Sequence, residues 1–502
     1  MRAKLVVVAA FLLAVSTASA ATVTSVWLRP VELASGPEYS VWDQDVAVDG
    51  HADLLAVWGG TSGVMSRFRP AGGSWQAPVQ VAACGSAVQV AFDAAGNATV
   101  VWLGCTNGVG AQVTAAVRRV DGTWSTPSAI STPGRVAAYL HLQVAPSGAA
   151  VASWGETDGH VWVVAASTRA PVSETWSVDE QLSSVGADSY DSSAAVDDTG
   201  DAVVGWSRAD PAGGIVWTSV KPSGGSWSAA VNLSQPGDSA FYIEVAMRPG
   251  GNAVAIWSVN GAGQSAVRPA TTGVWSAPTP FPAFVPHELV TDGFGNVLAD
   301  WYDGNGIQAA ELPAASDAWG PQFPVSTQAY FPLSYAVRLD GSGGLVAVWS
   351  MLDDNGNASI VATRRPVGTT SWDVPVAVPI PGSYDILYNA GYAVDADGDA
   401  AAVYQTPTGA AVGSVILDSA APRLQSLAID RTGRVGRKLR FTAQPFDISP
   451  VAYRWSFGDG RSAVGATVTH VYRKAGRYSV SLTATDAAGH SKLATKFSVR
   501  IR

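Results

Sequence analysis

The feature that most constrains this chain is a unit that recurs about eight times, every 40 to 50 residues. Residues 195–234 are its clearest copy: four short apolar runs separated by turn clusters at Asp198-Thr199-Gly200-Asp201, Asp210-Pro211-Ala212-Gly213-Gly214 and Pro222-Ser223-Gly224-Gly225. Four short runs between tight turns predict a four-stranded antiparallel sheet, and a series of such sheets predicts an all-β propeller. The composition agrees, with 52 Gly, 29 Pro, 19 Trp and only 14% charged residues.

Aligning the copies on the end of the second strand gives Trp58, Trp102, Trp154, Trp206, Trp257, Trp301, Trp349 and Tyr404. Six residues earlier stands Gly in seven copies, and nine earlier stands Asp in six. An Asp that caps its own turn and a Gly at positive φ are what a tight hairpin needs, so these recurring residues are scaffold. A second series, from Trp75 to Trp372, marks the fourth strand in seven copies. The missing member stands at the start, where residues 27–34 match residues 75–82. Eight blades are therefore expected, the N-terminal strand completing the last and hiding its edges, with seven as the alternative count.

Arg2 and Lys4, an apolar run at 5–15 and Ala18-Ser19-Ala20 have the form of a cleaved secretory signal, residues 1–20. A retained anchor is the alternative, and no later segment is apolar and long enough to span a bilayer as a helix. Cys84 and Cys105 fall opposite one another if residues 93–96 turn a hairpin, which places them within disulfide reach and suits an exported protein.

The repeat ends near residue 420. Beyond it, Tyr453-Arg454-Trp455-Ser456-Phe457-Gly458-Asp459-Gly460, His470-Val471-Tyr472, the run 476–482 and Asp486 resemble the PKD family over the whole of residues 421–502. The resemblance implies an immunoglobulin-like β-sandwich, often attached to secreted bacterial enzymes and adhesins as a spacer or binding module. It implies Trp455 and Tyr478 in the core and Asp459-Gly460 in a hairpin turn. Ser456 stands where many members carry Asp, so a calcium site known in some relatives is not expected from this motif. In the repeats, the turns at 72–75, 121–124 and 224–227 resemble worn Asp-boxes of sialidase-type propellers, a likeness of geometry, since those boxes stabilise turns.

No catalytic constellation emerges. A sialidase needs arginines converging on a carboxylate, but Arg69, Arg118, Arg119, Arg169, Arg268 and Arg365 recur at the far end of the third strand, as solvated blade structure would. No His or Cys grouping has zinc spacing and no phosphate loop is present, so no cofactor or metal is expected. Polarity concentrates instead where the first strand of each blade opens on the propeller face. The candidates for ligand binding there are Asp43, Asp45, Gln89, His141, Tyr190, Asp191, Ser193, Tyr242, Glu244, His287, Glu288 and Tyr335. Carboxylates among tyrosines can hydrogen-bond and stack on a sugar; a solvated channel mouth accounts for the same residues.

Charge divides the chain. Residues 421–502 carry 15 Lys and Arg against 4 Asp and Glu, a net of +11, while the rest, without Arg2 and Lys4, carries 14 against 36, a net of −22. Arg437, Lys438, Arg440, Arg473, Lys474 and Arg477 are candidates for an anionic partner such as a wall polymer, the alternatives being docking on the acidic propeller and plain solvated faces. The sequence thus leads to a secreted, non-catalytic protein, cell-surface associated, whose propeller face (21–420) binds a glycan or extracellular protein and whose basic domain (421–502) tethers it. A glycoside hydrolase or lyase using Glu244, Glu288, Asp45 or His141 and a purely structural surface protein are the alternatives.

Overall fold

The computed structural model describes residues 25–35, 41–105, 111–211, 213–235, 237–282, 285–326, 332, 334–352, 356–380, 390–405 and 411–502. The expected signal at 1–20 lies outside them. Among the described residues there is no helix, so none long and apolar enough to cross a membrane. Seven antiparallel sheets each use four consecutive strands, and an eighth joins Gly391–Val394, Ala400–Gln405 and Ala411–Asp418 to the N-terminal strands Val26–Trp27 and Val31–Ser35. There Trp27 pairs with Leu417 and Val31 with Ser414, while Trp27 Nε1 donates to Val376 O at 3.0 Å. The first strand of each sheet neighbours the first strand of the next, and Gly391–Val394 neighbours Val41–Val48. This is a propeller.

The aligned residues do what their chemistry requires. The second-strand tryptophans and Tyr404 are buried between adjacent sheets. The turn aspartates cap: Asp93 Oδ1 accepts from Ala95 N and Asn97 N, and Asp340 Oδ1 from Ser342 N and Gly344 N. Where the Gly is missing, Ala52 takes the positive φ, 60°. Three of the six third-strand arginines depart from expectation: Arg69, Arg118 and Arg169 are at most 7% exposed. Arg169 reaches Gly148 O and lies over Trp176, and Arg118 lies over Phe68, so these cations bind carbonyls and rings inside the propeller.

Cys84 and Cys105 are disulfide-bonded, with Cα atoms 5.6 Å apart. The pairing depends on a bulge: Val90 faces Val100, but beyond a register shift Ser86 faces Leu103, and that shifted register brings the two cysteines opposite.

The C-terminal segment forms a sandwich of a three-stranded and a five-stranded sheet. Trp455, Phe441, Phe457 and Tyr472 fill its core. Asp459 caps the hairpin turn by accepting from Arg461 N, and Gly460 has φ 85°. Tyr478 lies at the rim of the core, stacked on Tyr472, its hydroxyl donating to Lys474 O at 2.9 Å; Tyr472 is the buried member. The two parts touch. Ile448 is buried in the propeller cluster that holds Leu54 and Trp58, Arg69 Nη1 donates to Ile448 O at 2.7 Å, and Arg423 pairs with Asp397. These contacts lie at the turns that end the first strands, across the propeller from Asp45 and Glu244.

Candidate functional site

The first strands approach one another without a backbone ladder, so their inner N–H groups lack partners from the next sheet. Side chains supply them. Asp45 Oδ2 accepts from Val90 N at 2.9 Å, Gln89 Oε1 from Leu142 N at 2.7 Å and Ser193 Oγ from Val245 N at 3.2 Å. These three donors occupy the same place in the repeat. Asp43 Oδ2 similarly accepts from Ala87 N at 2.8 Å, and the Gln89 amide donates to Leu140 O at 2.6 Å. Asp43, Asp45, Gln89 and Ser193, expected among the ligand residues, also tie one sheet to the next, and the first three line a recess of about 390 Å³. Burial raises Asp45 to about 7, against the Val90 and Val46 N–H groups and Arg338, which lower it. Gly391 is needed in this packing, since a Cβ there would lie 2.9 Å from Asp45 Cα.

His141, Ser193, Glu244 and Glu288 share a cavity of about 260 Å³ with Arg338. Glu288 Oε2 pairs with Arg338 Nη1 at 2.8 Å. Burial would push Glu288 up, but Arg338 and His287 hold it below the usual range. Glu244, which accepts from Ser193 Oγ at 2.8 Å, is pushed by burial to about 8. Burial keeps the imidazole of His141 low. The cavity thus holds a protonated and an ionised carboxyl at neutral pH, separated by environment alone.

Beside it His287 Nδ1 meets Asp300 Oδ1 at 2.8 Å, and the His287 ring stacks on Tyr335 with centroids 4.1 Å apart. Burial lowers the affinity of His287 for its proton, yet Asp300 with Glu288 and Glu244 raises it overall. With Nδ1 engaged and the His287 side chain 40% exposed, Nε2 is the nitrogen left for a ligand.

Tyrosines precede the cavity residues on the same strands. Just before the Gln89, His141, Ser193 and Glu244 positions each strand is bulged, with Ala87, Tyr139, Asp191 and Tyr242 at φ 49–56°. Tyr139 and Tyr242 are 57% and 50% exposed. Tyr139 meets Trp162 edge-on at 5.9 Å, Phe241 lies against Tyr242 at 6.3 Å, and Tyr190 lies near both tyrosines.

Three participants escaped the sequence reading. Arg338 stands two residues after the Ala336 position, where the sibling sheets carry Ala47, Ala91, Gln143, Ala195, Ala246, Val290 and Ala393. Asp300 precedes Trp301 where the siblings carry Val57, Val101, Ser153, Gly205, Ile256, Val348 and Val403. A lone charge at an otherwise uncharged repeat position was the available signal for both. Trp162 had none beyond its type. For a metal, the described residues offer one close set of donors, Asp418, Asp486 and His490, within 4.8 Å of one another at the junction of the two parts. His490 Nδ1 lies 3.2 Å from Asp418 Oδ1 and 3.1 Å from Asp486 Oδ2 there, and the set is remote from the cavity.

Residues 419–501 match the family described as the PKD domain, and the C-terminal sandwich is one. The chain is similar in structure to the Dos1 propeller (10% identity, 77% of this chain and 93% of that one, TM-score 0.45). It is similar to a polysaccharide lyase of family PL25, an ulvan lyase bound to a GlcA–Rha3S unit (11%, 78% and 96%, 0.43). A third likeness is to the leech intramolecular trans-sialidase (10%, 75% and 90%, 0.38).

Proposed function

We propose that this is a secreted recognition protein whose propeller face binds a glycan. Residues 1–20 are its signal, 21–420 an eight-bladed ring in which the N-terminal strands complete the last blade, and 421–502 a basic domain that tethers the ring to a surface. The carrying observation is the bulge that holds Tyr139, Asp191 and Tyr242 at positive φ. A non-glycine residue there costs about 1–2 kcal/mol, and exposed rings return little of that by burial. Half-exposed rings held at strained backbone positions, beside a polar cavity, support a ligand as the beneficiary. Sugars stack their apolar faces on such rings and hydrogen-bond groups such as His287 and Glu244. The test is a glycan array probed with the purified chain and its Tyr139→Ala and Tyr242→Ala variants. Binding that weakens ~10-fold or more in each supports the reading, and unchanged binding removes this face from consideration; an extracellular protein as ligand would appear as capture by Tyr-dependent contacts with the array silent.

One observation favours a second reading, a hydrolase or lyase. Protonated Glu244 beside ionised Glu288, with His287 oriented by Asp300, is the material of general acid–base catalysis. New reducing ends or unsaturated products from a bound polysaccharide, abolished in Glu244→Gln and His287→Ala, would establish it.

A further inference from the structure

The positive charge of the PKD domain is gathered at the end farthest from the propeller. Arg423–Ile429 starts at the junction and runs away from it, Lys438–Phe446 returns, and Gly476–Thr485 spans the same length. At the far end three segments are locked by backbone hydrogen bonds: Val435 N to Arg502 O at 3.0 Å, Gly436 N to Tyr472 O at 3.0 Å and Arg500 N to Arg431 O at 2.9 Å. They present Arg437, Lys438, Arg473, Lys474 and Arg477 to solvent, with Arg440 close behind on its strand. Among the described residues the ion pairs of the domain lie elsewhere, at Arg423–Asp397, His470–Asp459 and His490 with Asp418 and Asp486. Arg477 and Arg500 even face each other across adjacent strands, an arrangement that repels. Arg434 and Arg502 line an open cleft of about 360 Å³ with Thr432 and Gly433. One apolar side chain, Val435, is exposed between Arg434 and Arg437.

We infer that this cap docks on an anionic lipid surface, its arginines gripping phosphate headgroups. The inference rests on the tethering role proposed above and names what the tether holds. Docking on the acidic propeller is disfavoured, because the cap points away from it. A rigid cap of loop ends, with Val435 exposed among its cations, fits a lipid plane. The domain length answers the obvious objection, that a propeller of net charge −22 would be repelled. The ten residues of Gly476–Thr485 span ~33 Å at ~3.3 Å per residue, several times the Debye length of ~8 Å at physiological salt. Guanidinium forks suit phosphate oxygens, and each cation near a charged bilayer adds to the attraction.

The experiment is co-sedimentation of the full chain with vesicles of phosphatidylglycerol and phosphatidylcholine, against phosphatidylcholine alone, at low, physiological and high NaCl. Binding is expected to the anionic vesicles only, to fall steeply with salt, and to drop ~10-fold or more in the triple variant Arg437→Glu, Arg473→Glu, Arg477→Glu. All three residues are exposed, so an unchanged melting temperature verifies the fold. Tyr139→Ala and Tyr242→Ala should bind vesicles as the parent does, which separates this inference from the fate of the glycan reading. No sedimentation with anionic vesicles, or binding unaffected by the triple variant, overturns it. So does retention by a soluble glycerol-phosphate polymer that the vesicles cannot match, which would assign the cap to a wall polymer.

Discussion

At the scale of single residues, the same polar positions serve two masters. Ser193 shows the division: it accepts from Val245 N, closing the gap between sheets, and donates to Glu244, the group that faces the cavity. Glu244 is costly to the fold when ionised. Its carboxyl is raised from 4.5 to about 8, so the folded state holds the proton more tightly than the unfolded one, and stability is lost as pH rises from 4.5 toward 8. Glu244→Gln should remove that loss, gaining about 1–2 kcal/mol over the parent at pH 8 after solvent screening and little at pH 5. Urea melts at the two pH values measure it. Gly391→Ala should instead cost about 1–3 kcal/mol at any pH, because its Cβ would meet Asp45 backbone. A melt with no shift would show that the two sheets can separate more freely than their packing implies.

At the scale of elements, the bulge near the start of the first strand is the part of the repeated scaffold on which the proposed glycan site is built. It shifts register within a strand, so residues on its two sides obey different pairings, and it re-aims Tyr139 and Tyr242 onto the face. Tyr242→Gly should relieve the backbone and raise stability by up to about 1 kcal/mol while weakening glycan binding; loss of both together would mean that Tyr242 is packing. The bulge also marks what the sequence could and could not reveal. Trp, Gly and Asp recur at fixed spacing because hairpins and blade cores demand them, and that made the sheets, their strand order and the cysteine pair legible. A bulge has no such residue signature: Ala87, Asp191 and the two tyrosines, Tyr139 and Tyr242, occupy the same position. The inter-sheet role of Asp45, Gln89 and Ser193 was hidden for a similar reason, since an orphaned N–H in the next sheet cannot be seen from a side chain's identity. Arg338 and Asp300 were visible as exceptions to the repeat, and only a comparison of every position across all copies would have exposed them.

At the scale of the molecule, the two ends of the propeller have different work. The Ile448 plug and the buried Arg69 join the PKD domain to the turns at one end, leaving the mouth with its tyrosines open at the other and the basic cap outermost. Removal of residues 1–35 should expose the outer edge of Ala411–Asp418, which Val26–Trp27 and Val31–Ser35 cover, and drive association through that edge. Light scattering of the truncated chain measures this, and a stable monomer would argue against the eight-bladed closure. The most direct test of the central claim is hydrogen–deuterium exchange of the full chain with and without a glycan found on the array. Protection is predicted in Val136–Val144, Ser189–Val196 and Ala240–Arg248, near their bulges, with the turn at 197–201 unchanged. Protection confined to that turn or to the PKD domain would contradict it.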